Sequence, residues 1–136
     1  MASDTDKIKI LIADDNDTDR LLLSSFVAKL GHKVVLASDG QEAVDLFQQE
    51  QPHIILLDAL MPKMTGFEAA LNIKNLAGKK LVPIIFLTSL SDAESLVMGL
   101  EAGGDDFLSK PYNHVILKAK IDAFNRMRVN HNQLQQ

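Results

Sequence analysis

The sequence predicts an α/β fold: five parallel strands alternating with five helices in one doubly wound sheet. Three observations carry that expectation. Ile54-Ile55-Leu56-Leu57 is an apolar run, β-branched at its start, that stops on Asp58, the pattern of a strand buried on both faces. Four more short apolar runs are separated by amphipathic stretches of helical spacing. Glycine, proline and small polar residues punctuate the joints between them. Strands interleaved with helices call for right-handed crossovers and helices on both faces of a parallel sheet.

The elements follow in chain order. Lys7 to Ala13 (KIKILIA) is an isoleucine-rich strand, and Asp14-Asp15-Asn16-Asp17 after it supplies turn and N-cap residues. Asp17 to Leu30 carries a stripe of Leu22, Leu23, Phe26, Val27 and Leu30 and is stopped by Gly31. Lys33 to Ala37 is a short strand; Ser38-Asp39-Gly40 then caps a helix with Ala43, Val44, Leu46 and Phe47 inward. Pro52 ends that unit, and His53 to Leu57 is the central strand. A loop from Ala59 to Gly66 leads to a helix over Phe67 to Leu76. Val82 to Leu87 is the fourth strand, with its proline tolerable only at the start. Ser91-Asp92 caps a fourth helix that runs to Ala102 and is stopped by Gly103-Gly104. Asp106-Phe107-Leu108 is the fifth strand, and Asn113 caps a last helix beginning at His114. The result is a flavodoxin-like (βα)5 sandwich with strand order 2-1-3-4-5.

Composition narrows the function. A chain of 136 residues is one domain with a substantial core, and 46% hydrophobic with 24% charged residues is ordinary for a globular protein. Without cysteine it can form neither a disulfide framework nor a thiolate metal site. The polar, acidic start is no signal peptide, and no apolar run reaches the roughly 18 residues of a membrane span, so a cytoplasmic setting is expected. A net charge of −4 argues against a nucleic-acid-binding surface. The charge is uneven: acids crowd Asp14 to Asp19, while Lys118, Lys120, Arg126 and Arg128 gather late. His32, His53, His114 and His131 form no ligand spacing, and Met61, Met64 and Phe67 read as packing for the loop after Asp58.

The strand ends carry the chemistry. Strand one stops on Asp14 and Asp15, strand three on Asp58, strand four on Thr88, and strand five near Lys110. With order 2-1-3-4-5, strands one and three are neighbours at the switch point, where open α/β sheets bind ligands, so three carboxylates converge there. Like charges that close need a cation, and oxygen-only ligands favour a hard divalent ion such as Mg2+. A hydroxyl and an ammonium on the other side of Asp58 suit an incoming phosphoryl group, with Asp58 as nucleophile forming an aspartyl phosphate.

With these residues quoted, the chain from about Lys9 to Phe124 resembles the receiver domain of two-component response regulators. The resemblance rests on the acidic pair in LIADDN, the acceptor in IILLDALMPKMTG, Thr88-Ser89 after IIFL, and GGDDFLSKP. It implies that Asp58 takes phosphate from the phosphohistidine of a histidine kinase or phosphotransfer protein, as a temporary carrier rather than a turnover catalyst. It also implies that Asp15 and Asp58 ligate Mg2+, with Asp14 acting through water and the Leu60 carbonyl completing the protein ligands. Lys110 would pair with Asp58, held by a cis peptide before Pro111. Thr88 and Phe107 would be the switch pair, working by packing because Phe107 lacks a phenol hydroxyl. The fourth helix, fifth strand and fifth helix would form the changing surface, a possible homodimer face. Tyr112 lies outside the switch position and is expected only to cover the last helix.

Two departures stand out. Leu60 and Leu90, each two residues past a site residue, are bulky and apolar at positions that, by the resemblance, border the path of hydrolytic water, so a long-lived phosphoryl group is expected. The tail is the other lead: Phe124, Met127, His131 and Leu134 make a short a/d-like seam. The expected organisation is a disordered 1–6, a receiver over 7–126, and a helical extension or linker over 127–136. That extension would lead to an output domain, and the late sequence is similar to receivers fused to diguanylate cyclases or PP2C-type phosphatases. Three rivals remain. A haloacid-dehalogenase-type phosphatase wants a carboxylate where Leu60 stands, and a flavodoxin wants a Ser/Thr/Gly phosphate loop where Asp14 and Asp15 stand. A degenerate receiver that binds partners without phosphorylation is opposed by the intact Asp15, Asp58, Thr88 and Lys110.

Overall fold

The computed structural model describes residues 8–89 and 93–134. The expected disorder of 1–6, the Ser91-Asp92 cap and Leu90 lie outside the described residues, as does the side chain of Leu134. The order is β1 (Lys9–Ala13), α1 (Asp17–Lys29), β2 (Lys33–Ala37), α2 (Gly40–Glu50), β3 (Ile54–Leu57), α3 (Gly66–Ala77), β4 (Ile84–Thr88), α4 (Ala93–Glu101), β5 (Asp106–Ser109) and α5 (His114–Leu134). The strands form one parallel sheet of order β2-β1-β3-β4-β5, the doubly wound topology expected. No helix among the described residues is long and apolar enough to cross a membrane.

Alternation along the strands divides the core in two. Leu11, Ala13, Ile55, Leu57, Ile84 and Phe86 face α2 and α3, which present Ala43, Phe47, Phe67, Ala70 and Ile73. Ile10, Ile12, Ile54, Leu56, Ile85 and Leu87 face α1 and α5, which present Leu23, Val27, Leu117 and Ile121. β3 and β4 are buried along their whole length, which explains runs without polar alternation.

Three expectations need adjusting. Leu22 does not join the α1 stripe but is 62% exposed, like Leu21 beside it; the buried face is Leu23 and Val27 flanked by Phe26 and Leu30. The fourth strand starts at Ile84 rather than Val82, because Pro83 has no N–H to donate, although its carbonyl still accepts from Ile55 at 2.9 Å. The third strand starts at Ile54, although the His53 N–H still donates to the Lys9 carbonyl at 2.8 Å and its ring accepts the Lys9 N–H at 3.0 Å.

Helix ends follow local chemistry. Asn16, not Asp14, caps α1 by accepting from the Asp19 N–H at 2.9 Å. Asp39 caps α2 through the Glu42 N–H at 2.8 Å, Thr65 caps α3, and Asn113 accepts from Val115 and Ile116 at the start of α5. α5 runs 21 residues without a break. Near its far end, Asn132 accepts from the Leu81 N–H at 2.9 Å and donates to the Leu81 carbonyl at 3.4 Å, while His131 meets the Lys79 carbonyl at 3.1 Å. Of the seam residues, Phe124 packs on the core beneath α1 and α5 and Met127 is exposed.

Candidate functional site

Each strand-end residue is placed by one backbone bond that continues the sheet a residue beyond its strand. Asp14 N–H donates to Ala37 of β2 at 3.1 Å, Asp58 N–H to Ala13 of β1 at 2.9 Å, and Lys110 N–H to Thr88 of β4 at 3.0 Å. The ladder therefore carries its rigidity into the site, which loops alone would not hold.

Asp14, Asp15 and Asp58 meet there, with one oxygen from each lying within 4.8 Å of the others. Asp14 is buried, Asp58 half-buried and Asp15 exposed. Lys110 Nζ lies 2.8 Å from Asp14 Oδ2, 3.0 Å from Asp58 Oδ2 and 3.5 Å from Asp19 Oδ2. Asp14 also accepts from the Asn16 N–H at 2.9 Å, and Asp58 from the Leu60 N–H at 3.2 Å. Thr88 is buried at the end of β4, opposite Ser109 of β5. The Lys110–Pro111 peptide is cis.

Burial pushes the Asp58 carboxyl above the ordinary aspartate range and the charge of Asp14 adds to that, while Lys110 and the Leu60 N–H pull it down. Burial works against the Lys110 charge, but the bonds and charges of Asp14 and Asp58 outweigh it and hold the ammonium well above the usual lysine range. The donors are all oxygen, two of the three carboxylates share one lysine, and Asp15 faces solvent; this set suits a hard divalent ion that keeps part of its water shell.

Some contributors were not read from the sequence. Asp19 reaches Lys110 from the first turn of α1, and Arg20 ties that turn down by donating to the Asp14 carbonyl at 2.8 Å and to Asp17 at 2.6 Å. Asp19 was legible only as the end of the acidic run from Asp14, and Arg20 only by its position next to that run. Gly66 was read as punctuation, yet a Cβ there would lie 2.0 Å from the Asp58 carbonyl oxygen. Leu60 is 54% exposed at the site's rim.

Phe107 stacks on Phe86 at 5.2 Å, and Phe86 meets Phe67 at 5.3 Å, so three rings join β5 to α3 behind the acceptor. Gly99 of α4 makes room for the outermost ring: a Cβ there would fall 2.1 Å from Phe107 Cζ. Gly99→Ala is expected to lose about 1–3 kcal/mol, because a helix interior that gains from alanine is here opposed by overpacking. Adding Phe107→Leu should recover part of that loss in urea unfolding; equal losses with and without the second change would show that the ring is not the obstacle. Tyr112 packs on the core beneath α1 and α5 and tilts toward His114, which stacks on Phe26 at 4.4 Å.

Comparison with known proteins bears on this geometry directly. The family profile described as "Response regulator receiver domain" matches residues 10–122. The chain belongs to this family. Within it, the receiver is 42% identical over 117 residues to "Probable transcriptional regulator ycf27" of Guillardia theta, covering 86% of this chain and 45% of that protein. It is 37% identical over 119 residues to "Alkaline phosphatase synthesis transcriptional regulatory protein PhoP" of Bacillus subtilis (strain 168), covering 87% and 48%. The chain thus spans about half the length of these curated relatives. Among solved structures, the Vibrio cholerae chemotaxis protein CheY4 superposes with a TM-score of 0.79 at 31% identity, covering 85% of this chain and 96% of that one. As a receiver of a two-component response regulator, the protein is a regulatory module, and its acidic triad is the kind that holds a metal in this family.

Proposed function

We propose that this receiver accepts a phosphoryl group on Asp58 from the phosphohistidine of a histidine kinase or phosphotransfer protein. The observation that carries the reading is the placement of Lys110 Nζ 3.0 Å from Asp58 Oδ2, beside the Asp14–Asp15 pair at the carboxyl edge of the sheet. An Asp58 oxygen attacks phosphorus as the phosphorus–nitrogen bond breaks; the electron pair stays on the leaving imidazole, which takes up a proton. Lys110 holds the attacking carboxylate before transfer and a phosphoryl oxygen after it, and Thr88 offers a hydroxyl to a second oxygen. Asp15, Asp58 and the Leu60 carbonyl would hold Mg2+, with Asp14 reaching it through water, and the ion would neutralise charge on the transferring group.

The downstream half of the proposal is a switch. Thr88 and Phe107 respond to the phosphoryl group through the ring stack, and α4, β5 and α5 read it out. Leu96, Val97, Leu100, Val115 and Ile116 give α4 and α5 exposed apolar side chains suited to a homodimer or an output partner. We take 7–126 as the receiver proper and 127–136 as the extension toward an output. The curated relatives are named as transcriptional regulators, which favours that kind of output over a signalling enzyme. We place the exchange in the cytoplasm on the strength of the family.

Mass measurement after incubation with Mg2+ and acetyl phosphate or phosphoramidate tests this. The wild type should gain one phosphate and Asp58→Ala none; a wild type that gains nothing would favour the phosphorylation-independent alternative. Leu60→Asn should shorten the phosphorylated half-life severalfold in a phosphate-release time course, and an unchanged half-life would remove Leu60 from the path of water.

A further inference from the structure

We infer that a cavity at the amino-terminal edge of the sheet, across the molecule from Asp58, is a binding site for a small organic anion. The cavity, about 830 Å³, lies among the ends of α2 and α3, the chain entering β4 and the last turns of α5. That size is typical of a small-molecule site. Its walls contain Arg128, Lys79, Lys80 and His53 but no carboxylate, although the chain as a whole carries a net charge of −4. An acidic protein has therefore gathered cations around a concave surface and left them without acidic partners there.

Arg128 is the centre of the argument. It is half-buried, and its Nε and Nη2 both donate to the one oxygen of Asn125, at 3.1 and 2.9 Å. None of the ion pairs among the described residues involves it. A guanidinium withdrawn from water without a counter-charge is costly, and its free edge matches a phosphate or carboxylate in two-pronged geometry. Burial weakens the proton affinity of Arg128; burial, followed by the charges of Arg128, Lys9 and Lys80, lowers that of His53, so the local field is positive. His53 Nδ1 accepts from Lys9, which leaves Nε2 of the neutral ring as a donor.

The rest of the lining selects for an organic body. Phe47 is buried, Leu76 is 46% exposed, and Pro52 and Leu81 complete the apolar part of the lining. The two hydrogen bonds between Asn132 and the Leu81 backbone close the wall by fixing the end of α5 to the rim. A ligand with an aromatic or aliphatic body and a phosphate or carboxylate head would pack on the first group and pair with the second. It would also link Arg128 of α5 to the loops before β3 and β4.

Titration of metal-free, 15N-labelled protein with 1-naphthyl phosphate, followed by NMR, tests the site. Saturable shifts are expected around residues 51–53, 79–82 and 128–132, with a dissociation constant of about 1 mM or tighter. Arg128→Gln, checked for folding by its unfolding midpoint, should weaken binding about tenfold. Lys80→Gln, a milder surface change, should weaken it about threefold. Asp58→Ala should leave it unchanged, which separates this site from the acceptor. Benzoate in place of the phosphate ester distinguishes the two head groups, and binding of either supports the site. No saturation by about 10 mM with either probe, equal affinity in Arg128→Gln, or shifts confined to the acceptor edge would overturn the inference. Inorganic phosphate binding as tightly as the naphthyl ester would overturn the organic part of it.

Discussion

Gly66→Ala is expected to cost about 3 kcal/mol or more in urea unfolding and to reduce phosphate uptake at Asp58 sharply. The added Cβ would sit 2.0 Å from the Asp58 carbonyl oxygen and 2.9 Å from the Ala59 Cα, and both obstacles are backbone. A side-chain tip can rotate away, as Phe107 can before Gly99→Ala, but this backbone cannot. It is fixed on one side by the Asp58 bond to Ala13 and on the other by the Gly66 N–H to Ala59 at 2.8 Å. Relief therefore has to move the acceptor itself. A loss below about 1 kcal/mol, with normal uptake, would show that the loop has more give than its contacts indicate.

Lys110→Met should have the second-largest effect, with opposite signs on two measurements. Removing the ammonium leaves Asp14, Asp58 and Asp19 facing one another, and metal-free stability at pH 7 should fall by about 2–3 kcal/mol. Mg2+ should bind the variant about tenfold more tightly, because a competing cation has gone, while phosphate uptake nearly stops. Tighter metal binding with lost uptake separates a direct role in transfer from simple unfolding. If Mg2+ affinity fell along with uptake, Lys110 would be holding the carboxylates in place for the ion rather than competing with it.

The raised Asp58 carboxyl adds a pH dependence of definite sign. A carboxyl with a higher pKa in the folded state stabilises the fold when protonated, and that contribution disappears as pH rises through the folded value. Metal-free Asp58→Asn should therefore equal or exceed the wild type in stability at pH 7, and the advantage should vanish as pH falls toward the unfolded value near 3.8. It should also shrink when Mg2+ is added. A variant less stable than wild type at pH 7 would mean that the Lys110 pairing outweighs burial.

What the sequence revealed and what it hid divide along physical lines. Strand identity was legible because burial on both faces writes itself as an unbroken apolar run, as in Ile54 to Leu57. The convergence of Asp14, Asp15, Asp58 and Lys110 followed from topology, since parallel strands bring their carboxyl ends to one edge. Helix ends were readable from single residues such as Asp39 and Asn113. Contacts between distant segments were not. Nothing local marks Gly66 or Gly99 as places where an added Cβ would fall within 2.1 Å of another chain segment, or Asn132 as the partner of a backbone 51 residues away. Leu22 was misplaced because it and Leu23 are both apolar, and only one of two adjacent helical positions can face the core.

The hold of Asn132 on Leu81 turns α5 into a beam on a pivot. Its first residue stands four positions after Lys110, and the pin lies eighteen positions further on, about 27 Å of helix away. A tilt of about 5° around that pin carries the His114 end sideways by about 2 Å, well within what helices do when domains switch. Such a tilt would turn travel beside the acceptor into rotation at the opposite edge. A switch working through this helix would cross the full height of the molecule by leaning rather than by rearranging.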